Sequence, residues 1–403
     1  MVAESARRNA ESVQRGQGAR AARPHGGNGA EERRRVAALI ARCGTDALCH
    51  VHLRSDRSYL FAPDDAGVVS YVVDGRVALL GGDPVVAPGA LPRLVRQALD
   101  SFTAQGLAVC VVGASATAAR AYVAAGLRAM KLGEEAVVDL PDFDVARLRP
   151  KVRRAARHIA ACGVTLHVGT MATLDAGLVA QCPAVSRAWL ADHGGVTQGF
   201  SMTTDALPDQ DDDLNQVVLA AHDGQVLGFL TLAPTPASAG LSLDHMRRLR
   251  ASPNGLMEAL IIHACAHFRD AGVRTLSLNF APLSDAACPE GEGAAIRALR
   301  RALVARVPGQ PAHALYLFNR KFASRWACRY WLYGGKGDLW AACRATLRAE
   351  VATPLPLPQP VAAACLAATV GALPDRMLRG WLGRSEERAQ APERDGPTCG
   401  QRG

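Results

Sequence analysis

The 403-residue sequence lacks the features that mark several common protein classes. It has no run of 18 or more apolar residues, so we expect a soluble chain without a membrane-spanning helix. Residues 1–36 hold eight arginines and no apolar core, which excludes a secretory signal and predicts a disordered tail on a cytoplasmic protein. No predicted strand leads into G-x-G-x-x-G, and G-x-x-x-x-G-K-[ST] is absent, which argues against dinucleotide and P-loop binding.

Metal-binding patterns and lysine are equally scarce. The 11 cysteines are scattered, and the close group Cys43, Cys49, His50 and His52 fits no zinc spacing, so no metal is predicted. Four lysines stand beside 42 arginines, and the net charge is +9. Such an excess is consistent with a polyanionic partner, either RNA or an anionic membrane surface.

What the chain does contain is an internal repeat. Segments 90–115 and 243–284 both run from a helix through an aromatic residue to a glycine four positions later, and then into a strand. The pairs are Phe102 with Gly106 and Phe268 with Gly272. Similar hairpin-like stretches, 72–84 and 221–234, precede them. Only the later copy carries the charged segment 244–248, which suggests one copy for support and one for chemistry.

Strands and helices alternate in each copy, which predicts an α/β (α+β) fold. The order of three strands, helix, strand, helix and strand fits duplicated Gcn5-related N-acetyltransferase-like units better than a Rossmann sheet. We expect a disordered tail (1–36), a first unit (37–146), a second unit with the active site (147–349), and a Pro-rich linker and C-terminal tail (350–403). Individual expectations include a helix over 36–47, a strand over 47–53, an Arg-rich helix over 147–163 and a helix over 178–190.

Seven segments in a fixed order carry a resemblance to a known family. They are TDALCHVHLRSDRSYLFAPD (45–64), VALLGGDPV (77–85), LGEEAVVDL (132–140), WLADHGGVTQGFSM (189–202), LDHMRR with SPNGLMEALI, LSLNFAPLS, and LFNRKFASRWACRYWLY. The chain resembles the C-terminal domain of phosphatidylglycerol lysyltransferases, the aminoacyl-phosphatidylglycerol synthases also called multiple peptide resistance factors. The resemblance covers residues 45–333 and implies a soluble form, because the family's transmembrane flippase half has no counterpart here.

This resemblance implies an aminoacyltransferase that needs no cofactor and uses aminoacyl-tRNA as co-substrate. The acceptor would be a hydroxyl, on phosphatidylglycerol or on a small hydroxyl or hydroxylamine compound of a biosynthetic pathway. Peripheral membrane contact is compatible with either acceptor. The stretch ASPNGL also stands where an acetyltransferase would carry [QR]-x-x-G-x-[GA], which argues against acetyl-coenzyme A as donor.

Three residues are the predicted catalytic set. Asp244 and Arg247 match the family's D-x-x-R pair and would share a face if their turn is helical. Asp244 would hold the donor's α-ammonium or act as base, and Arg247 would bind the terminal phosphate or ribose of the tRNA. Lys321, in F-x-x-K-F-x-x-x-W, would stabilise an oxyanion or phosphate. The competing interpretations are a surface ion pair for the first two and a solvated lysine for the third.

Two further sets complete the predicted site. The substrate-binding set is Glu134, Glu135, Asn254 and Arg325. Strand alternation would turn one of the two glutamates inward, to meet the donor's ammonium or to serve as a structural acid. The tRNA-binding or anion-binding set lies on the Arg-rich helix and comprises Lys151, Arg153, Arg154 and Arg157; a merely solvated face is its alternative. The histidines 193, 245, 263 and 267 are interpreted as structural. The alternative function is a non-catalytic tRNA- or membrane-binding module.

Overall fold

The structure is a computed structural model that describes residues 29–87, 89–193, 200, 206–282 and 311–350. Helix α1 (Gly29–Cys43) opens the described chain, so the tail predicted to reach residue 36 is already helical from Gly29. Val36, Leu39 and Ile40 are buried at helical spacing, which anchors α1 to the first unit. The remainder of the predicted N-terminal tail and residues 351–403 lie outside the described residues.

The first unit follows α1 with a short 3₁₀ helix (Cys49–Leu53), four strands and the rest of its α/β pattern. The elements are β1 (Ser58–Phe61), β2 (Gly67–Asp74), β3 (Val77–Gly81), β4 (Val85–Val86), α2 (Leu91–Ala104), β5 (Ala108–Ala114), α3 (Ala116–Ala124) and β6 (Arg128–Asp139). The strand predicted over 47–53 is wrong. Backbone amides there donate locally, Cys49 N to Asp46 O at 3.0 Å and Val51 N to Leu48 O at 3.1 Å, which closes a 3₁₀ turn.

The second unit is longer. Its elements are α4 (Pro150–Ala161), β7 (Thr165–Thr170), α5 (Ala176–Val179), α6 (Cys182–Asp192), β8 (Gln216–His222), β9 (Gln225–Thr235), β10 (Gly240–Arg248), α7 (Leu256–Asp270), β11 (Thr275–Pro282), α8 (Pro311–Asn319), β12 (Arg325–Tyr333) and α9 (Leu339–Glu350). The Arg-rich helix is α4, which starts at Pro150 rather than at residue 147. The helix predicted over 178–190 is two helices, because Pro183 can begin α6 but cannot continue α5.

The repeat predicted from the sequence is present in three dimensions. Helices α2 and α7 end in the same way, with the amides of Leu107 and Val273 donating to the carbonyls of Phe102 and Phe268 at 2.9 Å. Gly106 (φ 70°) and Gly272 (φ 82°) occupy the left-handed conformation that this ending requires. Each helix connects two parallel strands, β3 with β5 and β10 with β11.

The described strands form one 12-stranded sheet in which the two units exchange strands at the centre. The order is β1-β2-β3-β5-β12-β6-β11-β10-β9-β8-β7, with β4 on β2. Strand β12, from the C-terminal part of the chain, lies antiparallel between β5 and β6, whereas β6 pairs with β11. The fold class is confirmed as mixed α/β with two similar units that share the middle of one sheet. The likeness of these units to acetyltransferases stays a prediction.

Both faces of the sheet are covered in each unit. In the second unit Leu230 and Leu232 of β9 pack with α4 and α7, whereas Phe229 packs with α6 on the opposite face. In the first unit α2 and α3 cover one face and α9 covers the other, over Trp331 and Tyr333. Central strands are therefore buried on both sides, which matters below for the charged residues that they carry.

Candidate active site

Strands β10 and β11 diverge at their C-terminal ends. Residues of the two strands pair from Gly240 with Thr275 to Ser242 with Ser277, but the strands continue to Arg248 and Pro282. Both strands are irregular where pairing ends, β10 at residue 244 against β9 and β11 at Asn279, which has a positive φ of 66°. The Asn279 side-chain amide donates to the Leu243 carbonyl at 3.3 Å and bridges the divergence.

Asp244 is the extra residue of the β10 bulge. The segment is a strand, so the helical turn predicted for Asp244 and Arg247 is wrong. The bulge at Asp244 turns its side chain and brings it near Arg247 instead. The Asp244 side chain is 7% exposed and lies between two imidazoles. Its Oδ1 is 3.6 Å from His50 Nε2, and its Oδ2 is 3.2 Å from His245 Nδ1. His245 Nδ1 also lies 2.9 Å from Thr231 Oγ1.

Arg247 stands near Asp244 and is held by an aromatic ring. Its guanidinium carbon lies 3.9 Å from the centroid of Trp189 on α6. Burial lowers the pKa of Arg247 to about 10, and the charge of Asp244 opposes that shift. Arg247 therefore stays cationic at neutral pH while being less hydrated than a surface arginine. The structure brings this predicted pair together.

Lys321 lies on the other face of the sheet, in the turn after α8. Its Nζ is 2.7 Å from Glu258 Oε1 on α7 and 4.6 Å from the Phe318 ring centroid. Phe318 and α7 belong to the core on one face, whereas Trp189 and α6 lie on the opposite face. Asp244 and Arg247 thus lie on one face of the sheet and Lys321 lies on the other. The role assigned to Lys321 stays a prediction.

Glu134 and Glu135 do not divide into an inward and an outward side chain. Both are buried, at 0% and 5% exposure, because β6 is central and covered on both faces. Glu134 forms an ion pair with Lys131; a bulge opposite Arg329 and Tyr330 allows this i,i+3 contact within a strand. Glu135 pairs instead with Arg329 on the opposite face.

The remaining predicted substrate-binding residues are more exposed. Asn254 lies exposed in the turn before α7, and the N-cap residue of that helix is Gly255 (φ 97°), which has no side chain for capping. Arg325 has a side chain 44% exposed and donates through Nε to Asp139 at 3.2 Å. Arg325 also lines the cavity described next.

A buried ionic cluster, missed by the sequence reasoning, lies between the units. Arg329 contacts Asp46 at 2.6 Å and Glu135 at 2.5 Å, and Asp83 accepts hydrogen bonds from the amide and hydroxyl of Ser115 at 2.7 and 2.5 Å. These side chains line a cavity of about 420 Å³. Burial, followed by the charge of Asp46, raises the pKa of Asp83 to about 7. Burial alone would lower the pKa of Arg329, but Asp46 and Glu135 raise it above its ordinary range.

The predicted anion-binding residues lie on α4, close to the start of α7. Lys151, Arg154 and Arg157 are exposed, and Arg153 is half-buried. Helices α4 and α7 touch at Gly255, where an added Cβ would come within 2.8 Å of Ala155 Cβ. The basic face of α4 therefore stands beside the helix that follows β10.

The described residues also bear on metal binding and on membrane insertion. No group of three or more His, Cys, Asp or Glu side chains in this part of the chain has an arrangement that could hold a metal ion. Among the same residues, no helix is both long and apolar enough to cross a membrane.

Comparisons with known proteins agree on one relationship. A family model described as "Phosphatidylglycerol lysyltransferase, C-terminal" matches residues 37–333. The "Lysylphosphatidylglycerol biosynthesis bifunctional protein LysX" of Rhodococcus jostii is 31% identical over 343 residues, 84% of this chain and 30% of that protein. Its namesake from Mycolicibacterium vanbaalenii is 34% identical over 296 residues, 72% of this chain and 26% of that protein. The chain thus spans less than a third of these curated relatives.

Solved structures show the same relationship. The C-terminal domain of a putative lysylphosphatidylglycerol synthetase from Agrobacterium fabrum superposes with a TM-score of 0.68 at 25% identity, covering 81% of this chain and 100% of that one. The structure of L-PGS from Bacillus licheniformis gives a TM-score of 0.66 at 21% identity, covering 84% and 97%. The second likeness shows the fold alone.

Proposed function

The chain belongs to the phosphatidylglycerol lysyltransferase C-terminal family, and from this we propose that it is an aminoacyltransferase whose acceptor is the hydroxyl of phosphatidylglycerol. The donor in this proposal is a charged tRNA, whose ester is already activated, so that transfer needs no ATP. The observation that carries the proposal is the Asp244–Arg247 pair, the predicted D-x-x-R residues, which lies buried where β10 and β11 diverge.

The reaction joins the acceptor oxygen to the ester carbonyl carbon and releases the ribose hydroxyl of the tRNA. The site must therefore orient two substrates, move one proton and stabilise an oxyanion. Asp244 supplies negative charge for the donor's α-ammonium or for proton transfer. Arg247, fixed on Trp189 and cationic at neutral pH, suits the terminal phosphate or ribose of the tRNA.

Lys321 takes part in this proposal from the α7 side of the sheet. Its ammonium is paired with Glu258 and its side chain is 32% exposed, so an anionic group of the substrate can compete for it. The phosphates of the tRNA are the anions that the substrate can bring to this face. Glu135 and Arg325, two of the predicted substrate contacts, both line the cavity between the units.

The basic face of α4 is the proposed contact for the tRNA acceptor stem. Its exposed cations are available to phosphates, and its contact with Gly255 places it beside the start of α7. Phosphate contacts of this kind fix the position of a nucleic acid without reading its sequence.

The proposal is tested by incubating the protein with a set of charged tRNAs and phosphatidylglycerol vesicles, and following loss of the aminoacyl ester. We expect Asp244→Asn to slow transfer on the order of 10²-fold. Asp223→Asn is the matched control, because Asp223 is 89% exposed in the β8–β9 turn with a positive φ that asparagine tolerates. Ester loss with none of the charged tRNAs would refute the proposal.

A further inference from the structure

Four polar atoms on three buried side chains near Asp244 have no hydrogen-bond partner among the described residues. They are both ring nitrogens of His50, Oγ of Ser242 and Nε of Arg247. His50 is 4% exposed, Ser242 0% and Arg247 7%. A buried polar group left unpaired costs about 1–3 kcal/mol, so these atoms are suited to bind a polar ligand.

His50 comes from the first unit, although Asp244 and Arg247 come from the second. The 3₁₀ helix 49–53 carries it to the β10 bulge, where its Nε2 is 3.6 Å from Asp244 Oδ1. This distance is too long for a hydrogen bond and short enough for strong electrostatic interaction. The site is therefore composite, and the first unit is more than a support.

The neighbouring histidine shows what a structural role looks like here. His52, two residues later in the same 3₁₀ helix, has both ring nitrogens occupied, Nδ1 by Ser70 Oγ at 2.6 Å and Nε2 by the Asp83 carbonyl at 2.8 Å. His245 is likewise engaged by Thr231. Among these three buried imidazoles, only His50 lacks a hydrogen-bond partner within the described part of the chain.

Burial keeps His50 in the neutral form that can accept a proton. Burial lowers the pKa of His50, and His245 lowers it further, while Asp244 and Asp46 raise it and leave the net shift downward. His52 stands in the same electrostatic neighbourhood. His50 is consequently neutral at physiological pH, with a carboxylate beside it to stabilise the imidazolium once formed.

We propose that His50 is the general base of the transfer reaction, acting with Asp244 across the interface between the two units. The inference rests on the proposed function. The imidazole accepts the proton of the acceptor hydroxyl while the oxygen of that hydroxyl bonds to the ester carbonyl carbon. When the carbon–oxygen bond to the ribose breaks, the same proton passes to the leaving ribose oxygen. No oxidant, reductant or further reactant is needed.

The test compares His50→Gln with His263→Gln, a half-buried histidine on α7 whose ring faces His267 rather than Asp244. We expect His50→Gln to lower kcat on the order of 10²–10⁴-fold, the range for loss of general base catalysis. Affinity for a non-hydrolysable amide analogue of the charged tRNA stays within about twofold, since substrate binding precedes proton transfer. The control keeps wild-type kcat.

The pH–rate profile gives a readout that a structural role would not move. Protonation of the base abolishes its function, so wild-type kcat falls on the acid side, and this limb disappears in His50→Gln. His50→Ala with added imidazole provides a second measurement, in which partial recovery of kcat is expected. A wild-type chain that transfers normally, with His50→Gln retaining both its kcat and its acid limb, overturns this inference alone. A wild-type chain without any transfer overturns the proposed function instead.

Discussion

Arg329 offers the sharpest test of how the two units are held together. Its guanidinium lies 3% exposed and contacts Asp46 and Glu135, which are themselves buried, and it donates to the Gly113 carbonyl at 3.1 Å. Arg329→Met keeps an unbranched apolar side chain but leaves two carboxylates without their cation. Breaking a buried ion pair in this way costs about 3–5 kcal/mol. For a domain of this size, the loss corresponds to a Tm decrease of roughly 10 °C.

The loss depends on pH in a direction that the structure fixes. Burial raises the pKa of Asp46, and Arg329 outweighs it and holds that pKa below its ordinary value. Without the guanidinium, burial dominates, so the folded variant binds protons more tightly than the unfolded chain. Its stability deficit is therefore larger at pH 8 than at pH 5.

The assay is urea unfolding at both pH values, followed by fluorescence, with Arg325→Met as the matched control. Arg325 lies on the same strand and also pairs with a carboxylate, Asp139, but its side chain is 44% exposed. An exposed pair contributes about 0–1 kcal/mol, so the control should lose little. The reasoning is refuted if Arg329→Met and Arg325→Met lose the same free energy of unfolding at pH 8.

Three further predictions address other parts of the molecule. Because the pKa of Asp83 is raised to about 7, the folded state holds a proton that the unfolded chain releases near pH 4. The free energy of unfolding should therefore fall as pH rises from about 4 to 7. Urea unfolding of Asp83→Asn should show a smaller fall over the same range. Gly255→Ala should lower the free energy of unfolding by roughly 1–3 kcal/mol, since the new side chain meets both a φ of 97° and a clash with Ala155. Its control is Gly224→Ala, which has a positive φ but open space around the new Cβ and should lose less free energy of unfolding. Replacing the three exposed cations of α4 by glutamine should reduce, by about 2, the slope of the logarithm of the tRNA binding constant against the logarithm of the salt concentration. Filter binding between roughly 50 and 200 mM salt measures this slope. An unchanged slope would exclude this face as the contact. These cations are Lys151, Arg154 and Arg157.

Local sequence signals predicted most of the individual elements. The helix–glycine–strand repeats at Gly106 and Gly272 were recognisable because a left-handed residue ends each helix and an apolar strand follows. The 3₁₀ helix 49–53 was not, since its four consecutive buried residues resemble a buried strand. The exchange that inserts β12 between β5 and β6 also leaves no local trace, because pairing partners far apart in sequence are not encoded by periodicity.

The candidate site likewise contains some residues that the sequence predicted and others that it did not. Asp244 and Arg247 stood out as a charged segment unique to one copy, and the structure brings them together through a bulge rather than a helical turn. Arg329 and His50 gave no comparable signal, because each lies among apolar neighbours and meets its partners only after folding. His50 was considered only as a metal ligand, and its position opposite Asp244 arises from the junction of the two units.

Mass spectrometry of the reaction product tests the central claim most directly. The protein is supplied with a mixture of all charged tRNAs and phosphatidylglycerol vesicles. The lipids are then extracted, and their masses are compared with those from a reaction with Asp244→Asn. The account predicts an aminoacyl ester of phosphatidylglycerol, whose mass identifies the amino acid, in the wild-type reaction and very little in the variant. Unmodified lipid with all aminoacyl esters intact on their tRNAs would contradict it.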